Sequence, residues 1–192
     1  MQLVEKRVKK RYLDIKEKRD KEGIEQKSIY EEAMSSYFYG NYRSAFIWAY
    51  VYLVTPIAIN SKRLHKKKNE KKFREKKDPY KFNLTEALDE CIFLTNDLKN
   101  ELSKCYSVTL QFPQRKKEYN LSISQIRNIT VHPEDDRHFF AVNQINYKEY
   151  ALFLLDIAPK VYYQYNSYLK SPGKEKRKQK EIKVSKKLYA VS

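Results

Sequence analysis

Near the middle of the chain, the nine residues Ser124-Gln125-Ile126-Arg127-Asn128-Ile129-Thr130-Val131-His132 place a guanidinium, a polar amide and an imidazole within six positions. Arg127 offers five N–H donors in a fixed fork that fits a phosphate, and His132 is the side-chain type whose charge changes near neutral pH. Such a pair suits phosphodiester cleavage. The imidazole takes the proton of a ribose 2′-hydroxyl or gives one to the leaving 5′-oxygen, and the guanidinium stabilises charge on the pentavalent phosphorus. That chemistry requires no metal or other cofactor. On one helix, five positions separate the two side chains by about 7.5 Å of rise and about 140° of rotation, so they diverge. Two copies meeting across a two-fold axis would bring two of each around one phosphate, which makes a homodimer the expected active form. The plainer reading is a surface Arg and a helix-terminal His bonded to backbone carbonyls.

The other candidates are poorer. His65 lies inside a Lys run and reads as solvated, and His138 follows Glu134, Asp135, Asp136 and Arg137 without any metal-ligand spacing. Tyr162, Tyr163, Tyr165 and Tyr168 offer rings for base stacking, although at helical spacing such rings more often build core.

The wider chain says what must position these groups. Its 192 residues carry 40 Lys+Arg against 24 Asp+Glu, a formal +16, with 41% apolar residues, 17 Tyr and 9 Phe. Aromatic content on that scale supports a core and excludes wholesale disorder. Only 3 Gly and 6 Pro argue against a turn-rich sandwich or barrel, so an all-α fold is expected. Lys/Glu-rich, Tyr/Ile-rich and Gly-poor usage is reminiscent of thermophilic, archaeal proteins. Two cysteines, Cys91 and Cys105, are too few for a disulfide framework. On one helix they would stand about 21 Å apart, beyond bridging distance. A reducing compartment follows. The amino terminus shows basic residues without an apolar stretch or a cleavage site, so a cytoplasmic location is expected.

The charge is local. Residues 62 to 77 hold a net +8, residues 170 to 187 a net +7 and residues 1 to 22 a net +4, leaving about −3 for everything else. These runs read either as solvated linkers or as a phosphate footprint that releases condensed counterions. The candidate contacts are Lys62, Arg63, Lys66, Lys67, Lys68, Lys71 and Lys72 in the first run. Lys174, Lys176, Arg177 and Lys178 are those of the second, and Arg115, Lys116 and Lys117 form a smaller patch between them. Neither long run has an apolar face for a membrane surface, so nucleic acid, RNA before DNA, is the expected partner.

Periodicity predicts about five main helices. Val4, Val8, Tyr12 and Ile15 mark one face of a helix over 2–22 that Gly23 ends. A second runs over 25–39 to Gly40, and Asn41 can cap the third. Residues 45–59 carry no charge. Fifteen residues interrupted by Pro56 are short of the roughly 20 that cross a membrane, so this helix is expected inside the bundle or against a second subunit. Asn83 and Glu86 have capping-box spacing ahead of an apolar stripe from Leu84 to Cys105, which predicts one continuous helix. Residues 107–120 read as loop, with a short strand at SVTLQF as the alternative. Ser122 or Ser124 can cap a helix ending at His132, and Asn146 with Glu149 opens a last helix to about Tyr168, with a kink at Pro159 in prospect. The organisation is then a basic amino-terminal helix over 1–24, a helical domain over 25–170 with a basic loop at 62–81, and a basic tail over 171–192.

At this point the residues resemble a known family. Arg127-Asn128-x-x-x-His132 resembles the R-x4-H motif of the HEPN superfamily, helical and typically dimeric ribonucleases that include toxins and CRISPR or antiviral defence nucleases. Independently, YEEAMSSYFYGNYRSAFIWAYVYLV, with Ala33, Gly40, Tyr42, Ala45 and Ala49, looks like the amino-terminal HEPN hairpin. The likeness spans about residues 28 to 170. It implies a HEPN-like bundle and metal-independent endoribonuclease action from a composite dimer site, leaving a 2′,3′-cyclic phosphate and a 5′-hydroxyl. Arg127, Asn128 and His132 are the catalytic residues it implies, and an antitoxin or a defence-complex subunit the further partner. Many toxin members have H-x-Y where this chain has His132-Pro133-Glu134. The alternative expectation is a non-catalytic basic helical nucleic-acid-binding protein, such as a defence-complex subunit or a viral scaffold.

Overall fold

A computed structural model describes residues 1–68, 84–112, 115–131 and 145–170, with side chains described outside 62–68, 109–112 and 115–117. Among the described residues there are seven helices and a single two-stranded sheet, so the chain is all-α in class.

Helix α1, Gln2–Lys21, turns its predicted stripe inward: Val8 is fully buried and Val4, Tyr12 and Ile15 lean on the core. Gly23 at φ +64 ends it by donating to Asp20 O while Ile24 donates to Arg19 O. Helix α2, Ile29–Phe38, starts at Ser28, whose Oγ accepts the Glu31 N–H, and stops in the same way at Gly40, φ +81. There Gly40 donates to Tyr37 O and Asn41 to Ser36 O. Both stops satisfy carbonyls that a helix end otherwise leaves open, with glycine in the left-handed region a β-carbon disfavours.

Helix α3, Tyr42–Lys68, supplies the central wall through Ala45, Phe46, Ala49, Tyr50, Leu53 and Ile57, all buried. It packs against α2 and against the last helix, with alanines that let the helix axes approach. Its stretch Tyr42–Ser61 is long and apolar enough to cross a membrane by length and composition, yet in this fold 44% of that stretch is buried in protein. The basic loop expected over 62–81 is helical over 62–68, and 69–81 lie outside the described residues. Residues 62–68 continue α3 as helix, since Lys, Arg and Leu favour helix and no Gly or Pro intervenes between Pro56 and Pro79.

The single helix expected behind Asn83 is in fact two, α4, Leu84–Glu90, and α5, Asn96–Leu102. The apolar stripe survives the break, because Leu84, Leu88, Cys91, Leu94, Leu98 and Leu102 are all buried. What breaks the helix is tertiary. The Gln164 side chain accepts the Thr95 N–H at 2.9 Å and donates to Thr95 Oγ1, while Phe93 turns in against Tyr165 and Tyr168. The second of these helices, α5, stops at Leu102, so Cys105 lies outside it.

Cys105 begins a strand. Residues 107–112 and 115–120, read as loop with a short strand at SVTLQF as the alternative, lie in an antiparallel hairpin of β1, Cys105–Phe112, and β2, Arg115–Ser122, in register from Cys105↔Ser122 to Phe112↔Arg115. The apolar residues Tyr106, Val108, Leu110 and Phe112 alternate with polar ones at the period of a half-buried strand. Val108 and Leu121 are buried, and Tyr106 packs edge-on against Tyr150 and Phe153 of the last helix.

Helix α6, Ile123–Val131, follows β2 directly, and the last helix is α7, Tyr147–Lys170. Pro159 lies within α7 and lacks the N–H that would serve the carbonyl of Leu155. Two outside donors serve it instead: Tyr30 Oη at 2.6 Å and Arg11 Nη1 at 3.3 Å. The same proline thus becomes the point where α1 and α2 dock on α7. Arg7 adds an ion pair to Asp156 at 3.0 Å, and Tyr37 donates to Glu5 at 3.2 Å.

Burial raises the phenol pKa of Tyr30, Tyr37, Tyr50, Tyr52, Tyr106, Tyr147, Tyr150 and Tyr162, to about 12 for Tyr50 and Tyr106. A raised phenol pKa stabilises the fold fully below the unfolded value of about 10, and that stability is lost as pH climbs through the folded value. Alkaline titration followed at 295 nm is therefore expected to show late tyrosinate absorbance rising together with loss of helical circular dichroism above about pH 10. Complete ionisation with the helices intact would contradict this packing.

Candidate functional site

The start of helix α6, for which the sequence offered Ser122 or Ser124 as cap, is set by a capping box. Ser122 is the cap. Its Oγ accepts the Gln125 N–H at 3.3 Å, and Gln125 Oε1 accepts the Ser122 N–H at 2.8 Å. Ser124 lies inside the helix with its Oγ 3.1 Å from that of Ser122. With the start fixed, Ile123, Ile126 and Thr130 face the core, Arg127 is half-buried and Asn128 is exposed.

Arg127 and Asn128 come together: Arg127 Nη1 donates to Asn128 Oδ1 at 3.1 Å. The guanidinium carbon stands 6.0 Å from the ring centroid of Tyr50 on α3. Burial pushes the Tyr50 phenol up to about 12, opposed by the positive charge of Arg127. The ring is therefore a neutral support for the guanidinium.

The last turn of α6 is fastened from two sides. Arg43 of α3 donates from Nη2 to the Thr130 carbonyl at 2.8 Å, at the helix end where a cation is favourable. Thr130 Oγ1 donates to Ile126 O at 2.7 Å, leaving Tyr147 Oη, 2.9 Å away, to donate to it. Tyr147 packs its ring on Phe46, 5.7 Å between centroids, and Lys148 beside it stands 5.6 Å from the ring centroid of Tyr42. Thus Tyr50 meets Arg127 and Arg43 meets Thr130: moving forward along α3 corresponds to moving back along α6, so the two helices run in opposite senses.

His132 follows Val131 and lies outside the described residues, as do His138, Lys71, Lys72, Lys174, Lys176, Arg177 and Lys178. Lys62, Arg63, His65, Lys66, Lys67 and Lys68 belong to the last turns of α3, and Arg115, Lys116 and Lys117 to β2, as backbone positions only. The four tyrosines offered for base stacking, among the six of α7, separate. Tyr165 is buried against Phe93, Tyr162 stacks on Tyr52 at 4.1 Å, and Tyr168 leans toward Phe93, whereas Tyr163 is 74% exposed. Sequence reasoning missed Arg43, Tyr50, Tyr147 and Lys148. A signal was available for two of them, because Arg43 and Tyr50 are seven apart and share one face of α3.

The chain was compared with family models, curated proteins and solved structures. None matches it. What bears on the chemistry of the site is therefore its own geometry.

Proposed function

We propose that this chain is a HEPN-type endoribonuclease, acting as a homodimer in a defence or toxin–antitoxin setting without a metal. The observation that supports the reading is the state of Arg127: half-buried, steadied by Asn128 and the Tyr50 ring, and bonded to no carboxylate among the described residues. A guanidinium so held is ready for a phosphate. In the proposed reaction His132 removes the proton from a ribose 2′-hydroxyl, and the resulting oxygen attacks the adjacent phosphorus. Arg127 stabilises the charge on the pentavalent centre, and the 5′-oxygen leaves with a proton given by a His132 imidazolium, yielding a 2′,3′-cyclic phosphate and a 5′-hydroxyl. Asn128 orients Arg127 and adds amide donors. The second copy supplies its own Arg127 and His132 to the same cleft.

The test is incubation of purified protein with structured and unstructured RNA in EDTA. The proposal expects cutting by the natural chain and at least a hundredfold loss in His132→Ala, the lower range for removal of a general acid–base group. Cutting that survives His132→Ala would remove the imidazole from the mechanism. RNA bound tightly and never cut would leave a basic helical RNA-binding protein.

A further inference from the structure

The corner where α3, α6 and α7 meet gathers one cation from each helix: Arg43, Arg127 and Lys148. Several other cations pair with carboxylates, although Arg11 of α1 rests on Tyr30 Oη and the Leu155 carbonyl. Arg7 and Lys160 share Asp156, Arg19 meets Asp20 and Glu31, and Lys18, Lys21 and Lys27 each meet a glutamate. The three corner cations instead rest on a carbonyl and on the faces of Tyr50 and Tyr42, and among the described residues none meets a carboxylate. Ring faces and a carbonyl carry only partial charge, so they steady a cation without cancelling it. The nearest acid in sequence, Glu149, is engaged by Asn146 Nδ2 at 3.1 Å and closes the cap of α7. The first turn of α3 holds no acid, which leaves the positive end of that helix unopposed in the same corner.

Positive charge from three elements, two of its cations set on aromatic rings and none on a carboxylate among the described residues, suits a ligand that carries several phosphates on one chain. We infer that Arg43 and Lys148 form a second phosphate-binding position beside Arg127, so that an RNA backbone is held at a phosphate other than the one at Arg127. The inference rests on the reading of Arg127 as an RNA contact and adds the residues that grip the strand outside the reacting centre. Arg43 does so while bonded to the Thr130 carbonyl, since a guanidinium has donors to spare for a second acceptor.

Binding, not cutting, tests it. Full-length protein is titrated against a fluorescent single-stranded RNA carrying 2′-O-methyl groups throughout, which removes the attacking hydroxyl, and anisotropy is read across a KCl series. Removing one cation that neutralises a phosphate of a single strand lowers the slope of log K against log salt by about 0.7. R43A/K148A is expected to lower it by about 1.4 and to weaken binding about tenfold at 0.15 M salt. Lys148→Ala alone, which leaves the Thr130 bond in place, is expected to lower it by about 0.7. R43K/K148R keeps both charges and should keep the slope, as should Lys160→Ala, whose ammonium belongs to Asp156. An unmoved slope in K148A and in a folded double variant overturns the inference, and so does absence of binding by the natural chain. Binding through these residues by a protein that never cuts RNA would sustain the inference and sink the nuclease reading. Cutting with an unmoved slope would do the reverse.

Discussion

Arg127→Ala is expected to slow RNA cleavage by about 10² to 10³, the effect of removing one preorganised donor from a charge-stabilising site. The fold should hardly notice. Arg127 touches Asn128 and the Tyr50 ring, and its side chain is only half-buried. A partly exposed cation–π contact is worth about 0.5 to 1 kcal/mol, so the urea midpoint should move little. Arg127→Lys separates charge from shape. It returns a point charge without the planar fork, and restores part of the rate rather than all of it. The checks are initial rates in EDTA beside urea unfolding of the same preparations. An unchanged rate in a folded Arg127→Ala protein would take the guanidinium out of the chemistry.

The largest expected effect on stability belongs to Phe46→Ala. Phe46 is fully buried on α3 and meets the Tyr147 ring at 5.7 Å, at the contact between the two longest described helices. Truncating a buried phenylalanine costs about 3 to 5 kcal/mol through lost transfer energy and the cavity left behind. Against a total of about 5 to 15 kcal/mol, that is a large share of what holds the chain folded. Because Tyr147 also bonds Thr130 at the end of α6, the cavity should loosen that helix end as well. Urea unfolding followed by circular dichroism measures the cost, and Trp48→Ala, at a side chain 41% exposed, provides the contrast with a much smaller destabilisation. Equal destabilisation in the two variants would mean that the α3–α7 contact is not where the core lies.

Local signals were legible in the sequence because they act within a few residues. The Val4–Val8–Tyr12–Ile15 stripe, the stops at Gly23 and Gly40, and the caps at Ser122 and Asn146 each need only their neighbours. The break at Cys91–Thr95 was not legible, since it depends on Gln164, 69 positions away, reaching the Thr95 backbone. The hairpin was half legible: β1 alternates plainly, but Arg115-Lys116-Lys117-Glu118 disguises its partner strand. At the site, the types and spacing of Arg127 and Asn128 could be read directly. Their supports could not, because Arg43, Tyr50 and Tyr147 come from helices that only the fold brings beside α6.

The nuclease reading is reached most directly by the chemistry of the cut ends. RNA digested by the natural chain in EDTA is resolved and its termini assigned by mass. Fragments ending in a 2′,3′-cyclic phosphate and beginning with a 5′-hydroxyl are the expected result, whereas intact RNA, or fragments bearing 5′-phosphates, would contradict it.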